Sequence, residues 1–204
     1  MHLIRVCLEH KEYESMSNQF ILQNAKCKVT IKEIQYGDLK AGSYHQILNP
    51  SNYTNDELAK VFSVLIDLYD HDILLATIGS HLSDIKECAV LDGHSLIIMM
   101  NEQFFKINVL DGTLIDYKAL DVFGSNFALF KIDNGYVVHG EIDILFLSES
   151  FEKTASFSGR DIFVSISGKK AFALTKDTVQ LFDFEDNYYE IDFEGKIINE
   201  HTAD

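Results

Sequence analysis

Four short β-type runs follow one another closely: Glu87–Leu91, His94–Met100, Gln103–Val109 and Thr113–Lys118. They break at Asp92-Gly93, at Asn101-Glu102 and at Leu110-Asp111-Gly112. An Asp-Gly pair suits the left-handed backbone of a tight hairpin turn, so neighbouring runs should pair antiparallel. The rhythm returns at Asn126–Ile132, Tyr136–His139, Ile142–Leu147 and Phe151–Phe157. It returns again at Ile162–Ile166, Ala171–Thr175, Thr178–Phe182 and Tyr188–Phe193. Aligning the first turns on Gly93, Gly135 and Gly168 gives spacings of 42 and 33 residues. Such spacings suit a four-stranded antiparallel unit repeated in tandem.

The stretch Phe105-Lys106-Ile107-Asn108-Val109-Leu110-Asp111-Gly112-Thr113-Leu114 resembles the blade pattern of quinoprotein-type β-propellers. Over about residues 85–194 the strand-turn-strand rhythm resembles propeller blades of the quinoprotein or WD type. The chain has no tryptophan, and neither the Gly-His nor the Trp-Asp signature of WD repeats recurs. The resemblance implies a mainly β fold of tandem four-stranded meanders, with about three blades recognisable. Closed propellers have about 4–8 blades. The N-terminal half therefore completes a ring, or the meanders form an open, twisted stack.

Residues 1–80 read as an α+β segment, and residues 81–204 as the β-repeat segment of the same compact body. Strands are expected at Leu3–Leu8, Gln19–Gln23, Lys28–Gln35 and Ile73–Ile78. Thr54-Asn55-Asp56-Glu57 has the form of a capping box, with a hydroxyl at the cap and a carboxylate three residues on. Leu58, Val61, Phe62, Leu65 and Leu68 then recur at helical spacing, which predicts one main helix over about residues 54–69.

The chemistry visible in short motifs is sparse. There is no phosphate-binding glycine loop. Gly93-His94-Ser95 begins like a nucleophile elbow, but Ile97 stands where the second glycine is needed. The eight histidines are dispersed, and the densest mix of ligands is His71-Asp72 with His81 and Asp84. Asp183, Glu185, Asn187 and Glu194 fit an EF-hand frame in part, but Tyr188 stands at its turn glycine. No catalytic residue, cofactor or metal is therefore expected. The three cysteines, Cys7, Cys27 and Cys88, are too few and too scattered for a disulfide framework. Residues 1–10 have no long apolar core, so no secretion signal is read there and a cytoplasmic location is expected.

Charge says most about partners. The formal net charge is −15, and it is uneven. Residues 1–50 carry six Lys/Arg and five Asp/Glu, whereas residues 51–204 carry eleven and twenty-seven. A field of that sign repels nucleic acid and anionic membranes and speeds encounter with a basic protein. Its densest part is Asp183, Glu185, Asp186, Glu190, Asp192 and Glu194, with no Lys or Arg between them. As a strand, Tyr188, Glu190, Asp192 and Glu194 would share one face and Tyr189, Ile191 and Phe193 the other. This segment, with Tyr188 as its aromatic anchor, is the candidate partner-binding surface. The function expected is a cytosolic protein-binding module. Its specific form is an acidic antidote of the immunity type, masking a basic toxin domain such as a nuclease. A structural or scaffold subunit, and an enzyme with a dispersed propeller-type site, are the alternatives.

Overall fold

The computed structural model describes residues 19–54 and 57–203. The expected strand at Leu3–Leu8, and Cys7 with it, lies outside them. Among the described residues seventeen strands form four sheets. The first sheet holds β1 (Gln19–Gln23), β2 (Lys28–Ile34), β3 (Gln46–Leu48), β4 (Ala59–Asp67) and β5 (Asp72–Ser80), in the order β1-β2-β4-β5-β3. The second is β6 (Ala89–Asp92), β7 (Ser95–Met100), β8 (Gln103–Asn108) and β9 (Leu114–Ala119). The third is β10 (Asn126–Ile132), β11 (Gly135–Gly140), β12 (Asp143–Leu147) and β13 (Lys153–Ser158). The fourth is β14 (Phe172–Leu174), β15 (Val179–Phe182), β16 (Tyr188–Ile191) and β17 (Ile197–His201). The last three sheets are simple antiparallel meanders. The first is a meander too, with β3 added on the outside of β5 as a parallel strand.

No α-helix occurs among the described residues, which overturns the helix expected at about 54–69. That stretch is β4, paired without a break to β5 from Ala59↔Ser80 to Asp67↔Asp72. The apolar stripe misled because β4 is covered on both faces. Phe62, Val64 and Ile66 pack towards the second sheet, whereas Ala59 and Val61 belong to a core on the opposite side. A strand buried on both faces reads as a near-continuous apolar run, from which helical spacing can be picked out. The supposed helical face is divided: Leu58 and Leu65 are exposed while Phe62 is buried. The β-branched Val61, Val64 and Ile66 fit the pleated backbone better than a helix.

The repeat frame also shifts at its end. Gly93 takes left-handed backbone in the β6–β7 turn, as an Asp-Gly hairpin requires. In the fourth sheet the matching turn is Thr175–Thr178, not Gly168. Ile162–Ile166 is part of a crossover, and the outer strand is β17, which the strand pattern missed. Polar Asn199, Glu200 and His201 conceal its period.

Consecutive sheets stack face to face through separate cores. Cys27, Val29, Phe62 and Leu75 meet Leu96, Ile98, Phe105 and Ile107 between the first and second sheets. Ile97, Met99 and Phe104 meet Leu129, Tyr136, Val138 and Leu145 between the second and third. Val137, Ile144 and Phe146 meet Phe172, Leu181, Tyr189 and Ile191 between the third and fourth. Each such side chain stabilises the stack by roughly 1.5–3 kcal/mol. No core cluster among the described residues joins the fourth sheet to the first. The outer face of the first sheet is covered by the β2–β4 connection, whose Tyr36, Leu39, Tyr44 and Tyr53 pack on Val61 and Ile78. The corresponding face of the fourth sheet carries Gln180, Phe182, Tyr188, Glu190 and His201.

Because each unit is a meander of four antiparallel strands, it begins and ends on the same side, and all crossovers fall at one end of the stack. The β5–β6, β9–β10 and β13–β14 connections are there. So are the turns between the second and third strand of each unit. Backbone hydrogen bonds knit this end together. Leu129 N donates to Glu87 O, Glu141 N to Ser125 O, Phe163 N to Glu141 O and Phe184 N to Ile162 O. The hairpin turns lie at the other end, where the Asn24 amide reaches Gly93 O and Lys131 bridges Asp92 and Glu149.

Candidate functional site at the crossover end

The structure distributes the acidic segment rather than presenting it as one patch. Asp183 is fully buried. Its carboxylate accepts hydrogen bonds from Glu185 N (3.1 Å), Asn187 N (2.9 Å), the Asn187 side-chain amide (2.9 Å) and the Tyr189 hydroxyl (2.8 Å). The same hydroxyl accepts from Arg160 N, so this network ties the β15–β16 turn to the third crossover. Burial pushes the Tyr189 hydroxyl up to about 12. Glu185 and Asp186 lie at the crossover end. The Ser167 hydroxyl holds the Asp186 carboxyl below its usual range, assisted by Lys169 at 3.3 Å. Strand β16 ends at Ile191, so Asp192 and Glu194 sit in the next turn, at the opposite end of the stack. There Asp192 accepts from Glu194 N and Lys196 N, and Glu194 pairs with Lys196.

Tyr188 and Glu190 alone share a sheet face, the one turned away from the third sheet. Tyr188 stands in a row between Phe182 (ring centroids 5.2 Å apart) and His201 (6.0 Å). Glu190 accepts from the Thr178 hydroxyl at 2.9 Å. Tyr189, Ile191 and Phe193 pack on the other face, as alternation requires. His71 and Asp72 lie at the hairpin end and His81 and Asp84 at the crossover end. Among the described residues no three His, Cys, Asp or Glu side chains gather as a metal site.

The crossover end itself carries features that no motif announced. Leu58, Leu82, Phe123, Ile166 and Phe184 are exposed there, five of the twelve exposed large hydrophobic side chains described. Phe123 is 82% exposed and Ile166 73%, the two highest values of that set. Their connections, 120–125 and 159–171, both bond to Glu141. Its backbone N–H reaches Ser125 O, its carbonyl takes Phe163 N, and its carboxylate takes Ser125 N.

Beside the 159–171 connection lies an open, shallow depression of about 350 Å³, lined by Phe127, His139, Phe163, Val164, Ser165, Lys169 and Ala171. The His139 ring stacks on Phe172 (4.9 Å) and meets Phe127 edge-on (5.3 Å). Its Nε2 lies 3.0 Å from Phe163 O, a partner that only accepts, so Nε2 carries the proton. Burial pushes His139 down to about 4, leaving a neutral ring in the lining of the depression. The Lys169 ammonium is turned outward, over the Phe182 ring (5.0 Å) and onto Asp186, so its stem lines the depression. The strand pattern missed these residues because Phe163 falls in Ile162–Ile166, which reads as a strand, and Phe123 falls in no run. Phe123 is exposed on its connection, whereas Phe163 is buried. A signal was present in Val122-Phe123-Gly124-Ser125, where an apolar pair breaks into turn residues with no run to continue.

The sheets, their order and their face-to-face stacking define a propeller-type architecture of four blade-like units. No protein-family model matches the sequence, and no curated protein matches it. Solved structures similar to it include BamB from Moraxella catarrhalis, a β-propeller, at 13% identity and a TM-score of 0.50. That likeness covers 69% of this chain and 44% of BamB. The AfRom2 CNH domain is similar at 10% identity and a TM-score of 0.48, over 91% of this chain and 53% of the other. The chain thus spans about half the length of each of these structures. At such identities the likeness to BamB shows the fold alone. Among the described residues no helix is long and apolar enough to cross a membrane.

Proposed function

We propose that this chain is a protein-binding module that docks its partner on the crossover end. The observation that carries the reading is that Leu58, Leu82, Phe123, Ile166 and Phe184, on successive connections, are all exposed at that one end. Exposed apolar side chains scattered singly need no explanation, but a gathered set on a rigid end marks an interaction site. The connections at that end are held by backbone hydrogen bonds between sheets, so little ordering cost attends binding.

The net charge of −15 supports a basic protein as the partner. An antidote that masks a basic toxin domain is one form of this reading, and it rests on the charge alone. A cytoplasmic setting belongs to the same reading, and the buried, unpaired Cys27 and Cys88 are compatible with a reducing compartment. Among the described residues no core cluster covers the outer face of the fourth sheet, which favours a second reading, in which the chain is a subunit that a neighbouring sheet extends.

The test is co-purification of the tagged chain beside the double variant Phe123→Asp/Ile166→Asp. Both side chains are exposed, so the melting temperature should hold. A stoichiometric partner lost with the double variant is the expected result. A partner retained at full yield would move the docking surface elsewhere, and the face bearing Tyr188 and Glu190 would be next.

A further inference from the structure

Asp183 is the only buried acid among the described residues. A buried carboxylate is costly unless hydrogen bonds replace its water. Here the donors are all neutral: Glu185 N, Asn187 N, the Asn187 side-chain amide and the Tyr189 hydroxyl. A carboxylate only accepts, so it can hold all four, which an amide of the same shape could not. Two of these partners pass the hold outward. The Tyr189 hydroxyl accepts from Arg160 N at 3.0 Å, and the Asn187 side-chain oxygen accepts from Ala203 N at 3.1 Å. Arg160 lies at the start of the connection that carries Ile166, and Ala203 lies just beyond β17. The Arg160 guanidinium pairs with Glu200 of β17 at 3.0 Å, which joins the same two segments directly. The β15–β16 turn grips the connection at two further points. Phe184 N donates to Ile162 O at 2.8 Å, and the Ser167 hydroxyl donates to Asp186 at 2.8 Å.

We infer that Asp183 is a positioning residue for the docking end: through Tyr189 it fixes the 159–171 connection, and with it Ile166, against the turn that carries Phe184, and through Asn187 it fixes the chain beyond β17. The inference rests on the docking end proposed above and adds to it residues that no partner touches, since Asp183, Asn187 and Tyr189 are all buried. Ile166 is exposed, so its place is set by what anchors its connection and not by burial of its own side chain. An anchored segment loses less freedom on binding than a loose one. Releasing the anchor should therefore weaken docking without removing a contact.

Tyr189→Phe removes the hydroxyl that joins Asp183 to Arg160 N and keeps the ring in the core. Amide hydrogen exchange read by mass spectrometry reports the consequence along the chain. Peptides covering residues 159–171 should exchange about fivefold faster or more, the size expected for one lost hydrogen bond. Peptides from β6 to β9 should not change. Asp183→Asn keeps the shape but sets an amide among the donors, so it should loosen the same stretch and residues 197–203 as well. Ile191→Val, buried in the same strand and outside this network, is the control for lost stability. It should leave residues 159–171 as protected as in the wild type. Capture of the partner that is lost in Phe123→Asp/Ile166→Asp should fall several-fold in Tyr189→Phe and hold in Ile191→Val.

Unchanged exchange over residues 159–171 in Tyr189→Phe would overturn the inference. An equal rise in Ile191→Val would overturn it too, since the network would then only add stability. So would full capture by a loosened Tyr189→Phe, because Ile166 would not need the anchor. If Tyr189→Phe does not fold, Asp183→Asn carries the same readings. Failure of the docking end itself looks different: no captured protein then depends on Phe123 and Ile166, and exchange alone decides whether Asp183 anchors the connection.

Discussion

His139 is set by its surroundings more than by its own chemistry. Burial among Phe127, Phe163 and Phe172 opposes its charged form, and nearby Lys170 adds to that. The Phe163 carbonyl and Glu87 pull the other way without prevailing. The folded ring therefore titrates at about 4 against an ordinary 6.5. Between those values the unfolded chain binds a proton that the folded one refuses, so stability rises with pH across that window. The contribution is complete above about 6.5 and is lost as pH falls towards about 4, on the order of 3 kcal/mol. Urea unfolding at about pH 7 and about pH 5 should differ more in the wild type than in His139→Phe, because the variant loses the titrating group. An equal difference in both would place the acid sensitivity in the carboxylates.

At the scale of single elements, the turns impose the strictest demands. Gly135 opens β11 with φ +147°, and a Cβ there would lie 1.9 Å from the backbone oxygen of Leu147. Neither partner yields cheaply, because the contact is with backbone, Leu147 is paired to Tyr136 and Gly135 is paired to Ile132. Gly135→Ala should therefore cost more than about 2 kcal/mol in chemical denaturation. Gly37→Ala, in open space at an ordinary φ, should change stability by no more than about 0.5 kcal/mol. The strands on either side of such turns were legible from the sequence. Gln19–Gln23 and Asn126–Ile132 match the expected runs, because turn residues mark their ends, Asn24 after the first and Asp133-Asn134-Gly135 after the second. β4 was not legible. Its second buried face is supplied by a connection that starts more than twenty residues earlier, and local periodicity does not register that cover.

For the whole molecule, the relevant feature is a rigid stack with one strongly signed field. With a net charge of −15, encounter with a cationic segment should be driven by long-range attraction. Raising salt from about 50 to about 500 mM shortens the screening length several-fold. Association of a fluorescently labelled lysine-rich peptide should slow much more than its dissociation speeds up, as stopped-flow anisotropy would read. Salt-independent association would leave the acids as solubilising charge. The stack also has unlike faces. The first sheet is covered by its own connection, and the fourth presents Phe182, Tyr188 and His201. That asymmetry suits an architecture in which each sheet buries one face on its neighbour and the last must find other cover.

By itself the sequence determined the antiparallel rhythm of the second half, the Asp-Gly turn at Gly93 and the sign of the field, because these depend on residues near one another or on simple sums. Asp-Gly pairs and alternating Val, Ile and Phe act over a few residues, and charge adds whatever the fold. Where each acid points was decided only by the tertiary structure. Asp183, Asp186 and Glu194 are near neighbours in sequence, yet one is buried under Tyr189, one is clamped by Lys169, and one is turned to the far end with Lys196. Likewise Phe123, His139 and Ile166 come together at one end only because successive meanders stack in the same direction. That places every crossover on the same side, and the contacts that align the sheets come from cores spanning dozens of residues.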